Sequence, residues 1–236
     1  MNEPLLEITD LEKDYHTLRP LRVRQLSVRP GDVFSISGID ILGAETFVHL
    51  VTGAALPDDG NVTLFGRNTR GITDTEAWLK SLDGVGLITA RGILIEAFSV
   101  LQNIALSLTL DVDPIDLGVV PQTGALAREV GIAPNLFDVP VAKVAPDIKM
   151  RVHLARALAL APKLLIAEHP SAALPRESVA EFGGDLGNIA RTRNLGLIAI
   201  TADDALAKAV GGTRLELVAA TGELRTLSRI RRLFGK

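Results

Sequence analysis

The stretch VFSISGIDILGAETFVHLV, residues 33–51, decides the fold of this chain. Val33–Ser37 is a short apolar run typical of a buried strand, and Gly38 ends it. A helical spacing of apolar residues then runs from about Gly43 to Val51. Strand, glycine loop and helix in this order are the context that a phosphate-binding loop requires. The two glycines have the spacing G-x-x-x-x-G, but a plain glycine turn before a helix would give the same match.

The charges of this loop do not suit a phosphate. Ala44 stands where the phosphate-loop motif has its lysine, and Glu45 stands where it has a hydroxyl residue. A pair of unit charges about 4 Å apart is worth roughly 4 kcal/mol at an effective dielectric constant near 20, so losing the lysine removes an attraction of that order. The carboxylates of Asp40 and Glu45 would add repulsion. We expect one of them to satisfy the N–H groups of the loop internally, as a helix cap does.

Further apolar runs alternate with helical segments on both sides of this stretch. The pattern predicts an α/β protein with a mostly parallel sheet covered on both faces, and a helical insertion over about 91–150. The predicted strands are residues 5–8, 21–28, 33–37, 61–66, 86–89, 163–168 and 195–201, with a helix from Pro175 to about Arg193.

Composition narrows the class of protein. The chain has 236 residues, 47% of them hydrophobic and 22% charged, which fits one large domain with a sizeable core. A net charge of −3 gives no electrostatic case for nucleic acid, and the absence of cysteine excludes disulfides and thiolate metal sites. No apolar run reaches the roughly 18 residues that span a bilayer, and the N-terminus does not read as a signal peptide. We therefore expect a soluble cytosolic protein.

The order of segments over essentially the full length resembles the nucleotide-binding subunits of ATP-binding-cassette (ABC) transporters. The resemblance rests on six segments in the right order and spacing: KDY (13–15), VRPGDVFSISG (28–38), ALPDDGNVTLFGR (55–67), MRVHLARAL (150–158), PKLLIAEHPSAALP (162–175) and ITADDALAKAV (200–210).

This resemblance implies a single ABC ATPase-like domain over residues 1–236. Its fold would be a P-loop NTPase, RecA-like core, built from 1–90 and 151–236, with an antiparallel β subdomain and the helical insertion of about 91–150. The implied partners are a transmembrane permease subunit and a second nucleotide-binding subunit, in a homo- or heterodimer, and no nucleic acid. The implied location is cytoplasmic, peripheral to the cytoplasmic membrane through the permease.

The chain departs from the family at nearly every motif position that carries chemistry. The positions and their replacements are the phosphate-loop lysine (Ala44), the Q-loop glutamine (Ala90), the signature motif (144–148), the Walker B aspartate (Glu168), the catalytic glutamate (His169), the D-loop aspartate (Pro175) and the switch histidine (Ala202). In the signature segment, Pro146 lacks an N–H and Asp147 adds a negative charge where the family faces a phosphate. We therefore expect no intact catalytic site and no metal site, with Mg-ATP binding weak or absent.

Several residues keep more than one interpretation. Any remaining nucleotide contact would involve Tyr15, Gly38, Gly43, Glu45 and Thr46. Tyr15 either stacks on an adenine or packs on a loop.

At the strand ends, Glu168 either ligates Mg²⁺ or caps a structural element. His169 is either a general base or a polar residue at a strand end. Asp203 and Asp204 follow a buried strand and are expected to begin the next helix as caps.

The segment ARGILIEAF, residues 90–98, is the candidate partner surface. In the family this region borders the groove that receives the permease, and its apolar residues Ile93, Leu94, Ile95 and Phe98 suit such a surface. The alternative is that all four pack under the helical insertion. The basic tail, residues 225–236, either touches a membrane or partner or is a solvated end.

Three functions follow from this sequence. The first is a non-hydrolysing pseudo-ATPase that docks on a permease, alone or beside an active subunit. The second is a divergent but active ATPase that uses Thr46, Glu168 and His169. The third is a stand-alone small-molecule sensor on the same fold.

Overall fold

A computed structural model describes residues 3–89 and 92–227 of the chain. The strands are β1 (Leu6–Lys13), β2 (Leu21–Val28), β3 (Val33–Ser37), β4 (Asp59–Leu64), β5 (Arg67–Asn68), β6 (Val85–Ile88), β7 (Leu164–Glu168), β8 (Gly196–Ile200), β9 (Thr213–Val218) and β10 (Glu223–Thr226). The α-helices are α1 (Ile41–Val51), α2 (Thr75–Ser81), α3 (Val100–Ala105), α4 (Val120–Glu129), α5 (Pro146–Leu158), α6 (Val179–Thr192) and α7 (Asp204–Val210).

Two sheets form the framework. A four-stranded antiparallel sheet has the order β2-β1-β4-β5. A six-stranded sheet has the order β10-β9-β3-β8-β7-β6, in which all pairs are parallel except β9 with β10. The strands β7 and β8 are buried along their whole length, as strands covered on both faces are. The predicted mostly parallel sheet with an antiparallel β subdomain is confirmed.

Helix α1 lies between the two sheets. Its residues Phe47, Leu50 and Val51 are almost fully buried in one apolar cluster that also takes side chains from β1, β2 and β4 and from one face of β7, β8 and β9. Because this helix follows β3 directly, its N-terminus is held at the carboxyl edge of the parallel sheet.

The helical insertion packs on the other face of the six-stranded sheet. Helices α3 and α4 share a second apolar cluster with α5, α6 and the opposite face of β7 and β8. The insertion predicted for about 91–150 contains α3 and α4, but α5 runs through residue 150 without a break. The helix therefore joins the insertion to the core as one rigid element.

Arg151 of α5 ties these parts together. Its guanidinium donates to the Val130 carbonyl at 2.6 Å, to the Asp185 carboxylate at 2.6 Å and to the Glu181 carboxylate at 2.9 Å. Glu181 and Asp185 belong to α6, while Val130 follows α4. The cluster thus links the insertion to the core through a cation whose side chain is nearly buried.

The elements predicted from the sequence agree with the structure at the centre of the fold, but the smallest strands were not predicted. Strand β3 and the end of α1 agree with the prediction, whereas β5, β9 and β10 carried no clear signal. No helix in the described ranges is long and apolar enough to cross a bilayer. Of the predicted basic tail, residues 225–227 lie at the end of the described chain and residues 228–236 lie outside it.

Candidate functional site

The turn between β3 and α1 forms the centre of the candidate site. Gly38 has a φ of +85°, and a Cβ atom there would lie 2.4 Å from the Leu217 carbonyl oxygen. Only glycine suits both this backbone conformation and this contact with β9. The predicted glycine loop is therefore built into the packing of the sheet.

Asp40 caps the helix that follows. Its Oδ1 accepts the Gly43 N–H at 2.6 Å, and its backbone carbonyl accepts the Ala44 N–H at 2.8 Å. The helix consequently begins at Ile41, two residues before the predicted Gly43. The expectation that an acidic residue satisfies the loop internally is confirmed for Asp40. The Glu45 carboxylate lies 4.0 Å from His49 Nε2, one turn along the same helix.

The side chains around this capped turn are apolar. Ala44, at the lysine position of the motif, is fully buried in the cluster around α1. Ile41 and Leu42 are 70% and 56% exposed. The Thr46 hydroxyl donates back to the Leu42 carbonyl at 2.8 Å. These four positions offer no cation at the mouth of the turn.

Tyr15 lies beside the same turn. It is partly buried against the cluster around α1, and a Cβ atom at Gly43 would lie 3.4 Å from its hydroxyl. This position agrees with the packing interpretation of Tyr15. An open cavity of about 480 Å³ adjoins it, with a wall that includes Tyr15, Leu18, Arg19, Gly38, Asp40 and Leu217.

The carboxyl end of β7 carries the next candidate residues. Glu168 is buried, and His169 adopts a left-handed backbone with φ of +43°. The His169 N–H donates to the Ile200 carbonyl at 2.8 Å, which fixes this turn against β8. The Nε2 atom of His169 is buried and has no hydrogen-bond partner among the described residues. A role for either side chain in metal binding or base catalysis stays a prediction.

The segment after β8 agrees with the expected helix start. The Asp203 carboxylate accepts the N–H groups of Ala205 and Leu206 at 2.8 and 3.2 Å, so Asp203 is the cap. Asp204 is the first residue of α7 instead and pairs with Lys208 and Arg214. A hydrogen bond from Lys208 lowers the pKa of the Asp204 carboxyl, and the charge of Arg214 adds to this effect. Ala202, at the expected switch position, is exposed and has no polar side chain.

The segment where the signature motif is expected begins a helix, and the first residue of that helix has no N–H to donate. Helix α5 starts at Pro146, which has no N–H, and Ala145 before it provides no side-chain cap. Asp147 places a carboxylate in the first turn. The arrangement agrees with the expected loss of an anion contact at this position.

The candidate partner segment divides into inward and outward side chains. Ile93 is 80% exposed and Ile95 is 41% exposed, whereas Leu94 packs against the cluster of the insertion. Phe98 is half-buried. The alternative in which all four apolar residues pack under the insertion is therefore wrong for Ile93 and Ile95. Ala90, at the Q-loop position, lies outside the described residues.

Asn103 holds this segment in place. The side chain of this fully buried residue accepts the Ile95 N–H at 2.8 Å and donates to the Ile95 and Phe98 carbonyls at 3.0 and 3.2 Å. Arg156 also donates to the Ile93 carbonyl at 2.7 Å. Neither contact could be predicted from the sequence pattern, because both join residues of different elements.

A groove of about 320 Å³ borders this segment, and Gly92, His153 and Arg156 line part of it. Desolvation and the nearby charge of Arg156 lower the pKa of His153. Desolvation also lowers the pKa of Arg156. The groove thus holds a half-buried cation next to an imidazole whose protonation is disfavoured.

Comparison with known proteins decides the family. No protein-family model matches the chain. The lipoprotein-releasing system ATP-binding protein LolD 2 of Caulobacter vibrioides is 32% identical over 187 residues, which cover 77% of this chain and 81% of the relative. The chain belongs to the ABC transporter nucleotide-binding subunits. The resemblance seen in its sequence is confirmed at this level.

Solved ABC structures share the fold of this subunit. The cbiO1 protein of Clostridium perfringens, part of the ABC transporter complex cbiONQ, matches with a TM-score of 0.74 at 21% identity, over 91% of this chain and 84% of that protein. A dimeric ATP-binding cassette bound to ADP and Pi matches with a TM-score of 0.72 at 17% identity, over 94% and 99%. The α/β, P-loop NTPase fold expected from the sequence is confirmed.

Metal ligands do not converge in the part of this ABC subunit that the structure describes. Within residues 3–89 and 92–227, no group of three or more His, Asp and Glu side chains is placed to hold a metal ion. What the structure does bring together at the turn between β3 and α1 is Gly38, Asp40, Gly43 and Tyr15. Glu168 ends β7 and Ala202 follows β8, the neighbouring strand, so both lie at the carboxyl edge of the same sheet.

Proposed function

We propose that this ABC subunit is a non-hydrolysing pseudo-ATPase. It docks on a membrane permease, which places it at the cytoplasmic face of the membrane, and it pairs there with a second nucleotide-binding subunit that supplies hydrolysis. Cargo and direction of transport are outside this proposal.

One observation carries the proposal: the Asp40 carboxylate occupies the anion position of the loop. A helix N-terminus binds a phosphate because its first N–H groups lack partners and its dipole favours negative charge. Here the Gly43 N–H already donates to the Asp40 carboxylate at 2.6 Å, and the Ala44 N–H donates to the Asp40 backbone carbonyl at 2.8 Å. A phosphate would have to displace a carboxylate from the same chain.

Electrostatics strengthens this argument. Phosphoryl transfer depends on positioning and on cations that stabilise the charge of the phosphates. The lysine position holds buried Ala44, and Asp40 adds a negative charge at the turn. At about 4 Å and an effective dielectric near 20, the lost attraction of a lysine and the added repulsion of a carboxylate are each worth roughly 4 kcal/mol.

Calorimetry with Mg-ATP tests the proposal. The dissociation constant of the purified subunit should be millimolar or weaker, a standard binding free energy of about −4 kcal/mol or less favourable. The variant Asp40→Asn keeps a capping residue but removes the charge, and it should bind Mg-ATP more tightly than the natural chain. A low-micromolar constant for the natural chain would contradict the proposal.

The alternative is a divergent but active ATPase. It is favoured by the retained carboxylate of Glu168 and by the description of the Caulobacter relative as an ATP-binding protein. Under our proposal, phosphate release stays at background, and Ala44→Lys alone does not restore it because Glu45, His169 and Ala202 remain. A turnover that Glu168→Gln abolishes would establish the alternative instead.

Docking on a permease is proposed from the segment 92–98. Ile93 and Ile95 present exposed aliphatic side chains, while Asn103 and Arg156 fix the backbone that carries them. An exposed apolar surface on a rigid backbone suits recognition of another protein. The solved relatives support this proposed assembly with a permease and a second subunit, since one relative is part of a transporter complex and another forms a dimer.

A further inference from the structure

A small cavity lies on the face of β3 that points away from α1. Its volume is about 170 Å³, well above the roughly 10–15 Å³ that one water molecule needs. Its polar wall consists of Ser35 and Ser37 from β3, Thr201 and Asp203 after β8, Asp204 from α7 and Arg214 from β9.

This cavity is separate from the capped turn at Asp40. Successive side chains of a strand point to opposite faces of the sheet. Ile36 belongs to the apolar cluster around α1, so the neighbouring Ser35 points to the other face of β3. The residues that line the cavity do not include Asp40, Gly43 or Tyr15.

Most polar groups of the cavity already have partners. Asp203 caps α7, and Asp204 pairs with Lys208 and Arg214. The Ser37 hydroxyl donates to the Leu215 carbonyl at 3.3 Å. The Thr201 hydroxyl oxygen accepts the Asp203 N–H at 3.0 Å.

Two donors remain without partners, and they are neighbours. Ser35 is 2% exposed, and its hydroxyl has no hydrogen-bond partner within the described ranges. The Nε atom of Arg214 is likewise buried and without a partner there. Ser35 and Arg214 face each other in the register of β3 with β9. Buried polar groups are nearly always satisfied, so this adjacent pair points to a ligand with an acceptor group.

We propose that the cavity binds a small monocarboxylate. One carboxylate oxygen accepts from Arg214 Nε and the other from the Ser35 hydroxyl, while Ala207 and Leu227 contact the short apolar end of the ligand. A hydrogen bond to a charged group is about twice as strong as one between neutral groups, which favours a carboxylate over an amide. The carboxylates of Asp203 and Asp204 in the wall disfavour phosphate and other multiply charged anions.

A titration of the full chain with sodium acetate, followed by two-dimensional amide NMR, tests this site. Sodium chloride at the same ionic strength is the reference. Acetate should give saturable shifts confined to residues around 35, 201–207 and 214, and chloride should not. Ser35→Ala should weaken acetate binding by about tenfold or more, as expected for loss of a hydrogen bond to a charged group.

Two further variants separate binding from folding. Arg214→Lys keeps a cation that can pair with Asp204 but removes Nε, and it should also lose binding. Thr69→Val is the matched control, because Thr69 is another buried hydroxyl without a partner among the described residues and does not line this cavity. It should bind acetate as the natural chain does.

Two results would overturn the proposal. The first is equal shifts with acetate and chloride, which would mean that only solvent fills the cavity. The second is unchanged acetate binding by folded Ser35→Ala. Neither result depends on nucleotide, so the pseudo-ATPase proposal would stand or fall separately.

Discussion

At the scale of single residues, Asp40 has two effects that mutation can separate. As an N-cap it stabilises α1, and as a carboxylate it excludes an anion from the Gly43 N–H. We expect Asp40→Ala to lower the free energy of unfolding by about 1 kcal/mol, since that is the usual cost of losing such a cap. Urea denaturation followed by circular dichroism measures this change.

Asp74 provides the control for this cap. Its carboxylate accepts the Ala77 N–H at 2.9 Å at the start of α2, far from the candidate site along the chain. Asp74→Ala should lower stability by a similar amount without changing Mg-ATP affinity. Unchanged stability of Asp40→Ala would show that the cap does not matter for folding.

The role of Asp40 could be predicted because capping is local in sequence. An acidic residue three positions before Gly43 is within reach of its N–H in any chain that turns into a helix there. The orphaned pair Ser35 and Arg214 could not be predicted in this way. Their relation depends on the register of β3 with β9, two strands that are far apart in the sequence.

At the scale of elements, the segment 92–98 allows a sharp test of docking. Ile95→Asp should leave the isolated subunit folded, because this side chain is 41% exposed, and should abolish its co-purification with a permease. Retained co-purification of a folded Ile95→Asp variant would count against docking through this residue.

Leu94 is the matched control in the same segment. It packs against the apolar cluster of the insertion, so Leu94→Asp buries a charge and should lower the melting temperature strongly. If Ile95→Asp unfolds the chain to the same extent, its side chain serves the core and the docking interpretation is wrong.

The sequence alone could not predict which of these side chains point to solvent. A run of three aliphatic residues, ILI at 93–95, has no alternation of polarity that assigns an outer face. The assignment comes from Asn103 in α3, which holds the Ile95 backbone through both its N–H and its carbonyl. In contrast, the long apolar runs of β7 and β8 were predictable because burial on both faces leaves a continuous signal.

At the scale of the whole molecule, Arg151 connects the insertion to the core. Arg151→Met should lower the free energy of unfolding by about 2 kcal/mol, the usual value for losing hydrogen bonds to charged groups. A larger cost is not expected, because Glu181 and Asp185 reach solvent once the cation is gone. Chemical denaturation measures the change.

Arg225→Met serves as the comparison for Arg151→Met. Arg225 pairs with Glu223 on the surface, so its loss should change stability by no more than about 0.5 kcal/mol. Equal effects of the two variants would contradict the connecting role of Arg151.

The stability of the whole chain should fall on acidification in two stages. The pKa of His153 is lowered from 6.5, so below that pH the unfolded chain binds a proton that the folded chain does not. Stability from this residue is complete above pH 6.5 and is lost as the pH falls through the folded value. His153→Gln should remove this first stage in denaturation curves measured at a series of pH values.

The second stage belongs to exposed carboxyls. The pKa of Glu12 is lowered by its hydrogen bond with Arg22, and the pKa of Asp58 by that with Lys13. The folded chain stays deprotonated where the unfolded chain binds protons, so their stabilisation is lost below about pH 4.5. A stability that is constant from pH 7 to 5 would contradict the first stage and leave only the second.

The Asn103 contacts also bear on how fast a partner could bind. A loop that must order itself on association loses conformational entropy, and many encounters then fail before contact is complete. At Ile95 that ordering has already taken place during folding, because a buried amide fixes the backbone on both sides of an exposed side chain. A partner would meet a preformed surface, so the association rate should be governed by diffusion and orientation rather than by rearrangement of this subunit.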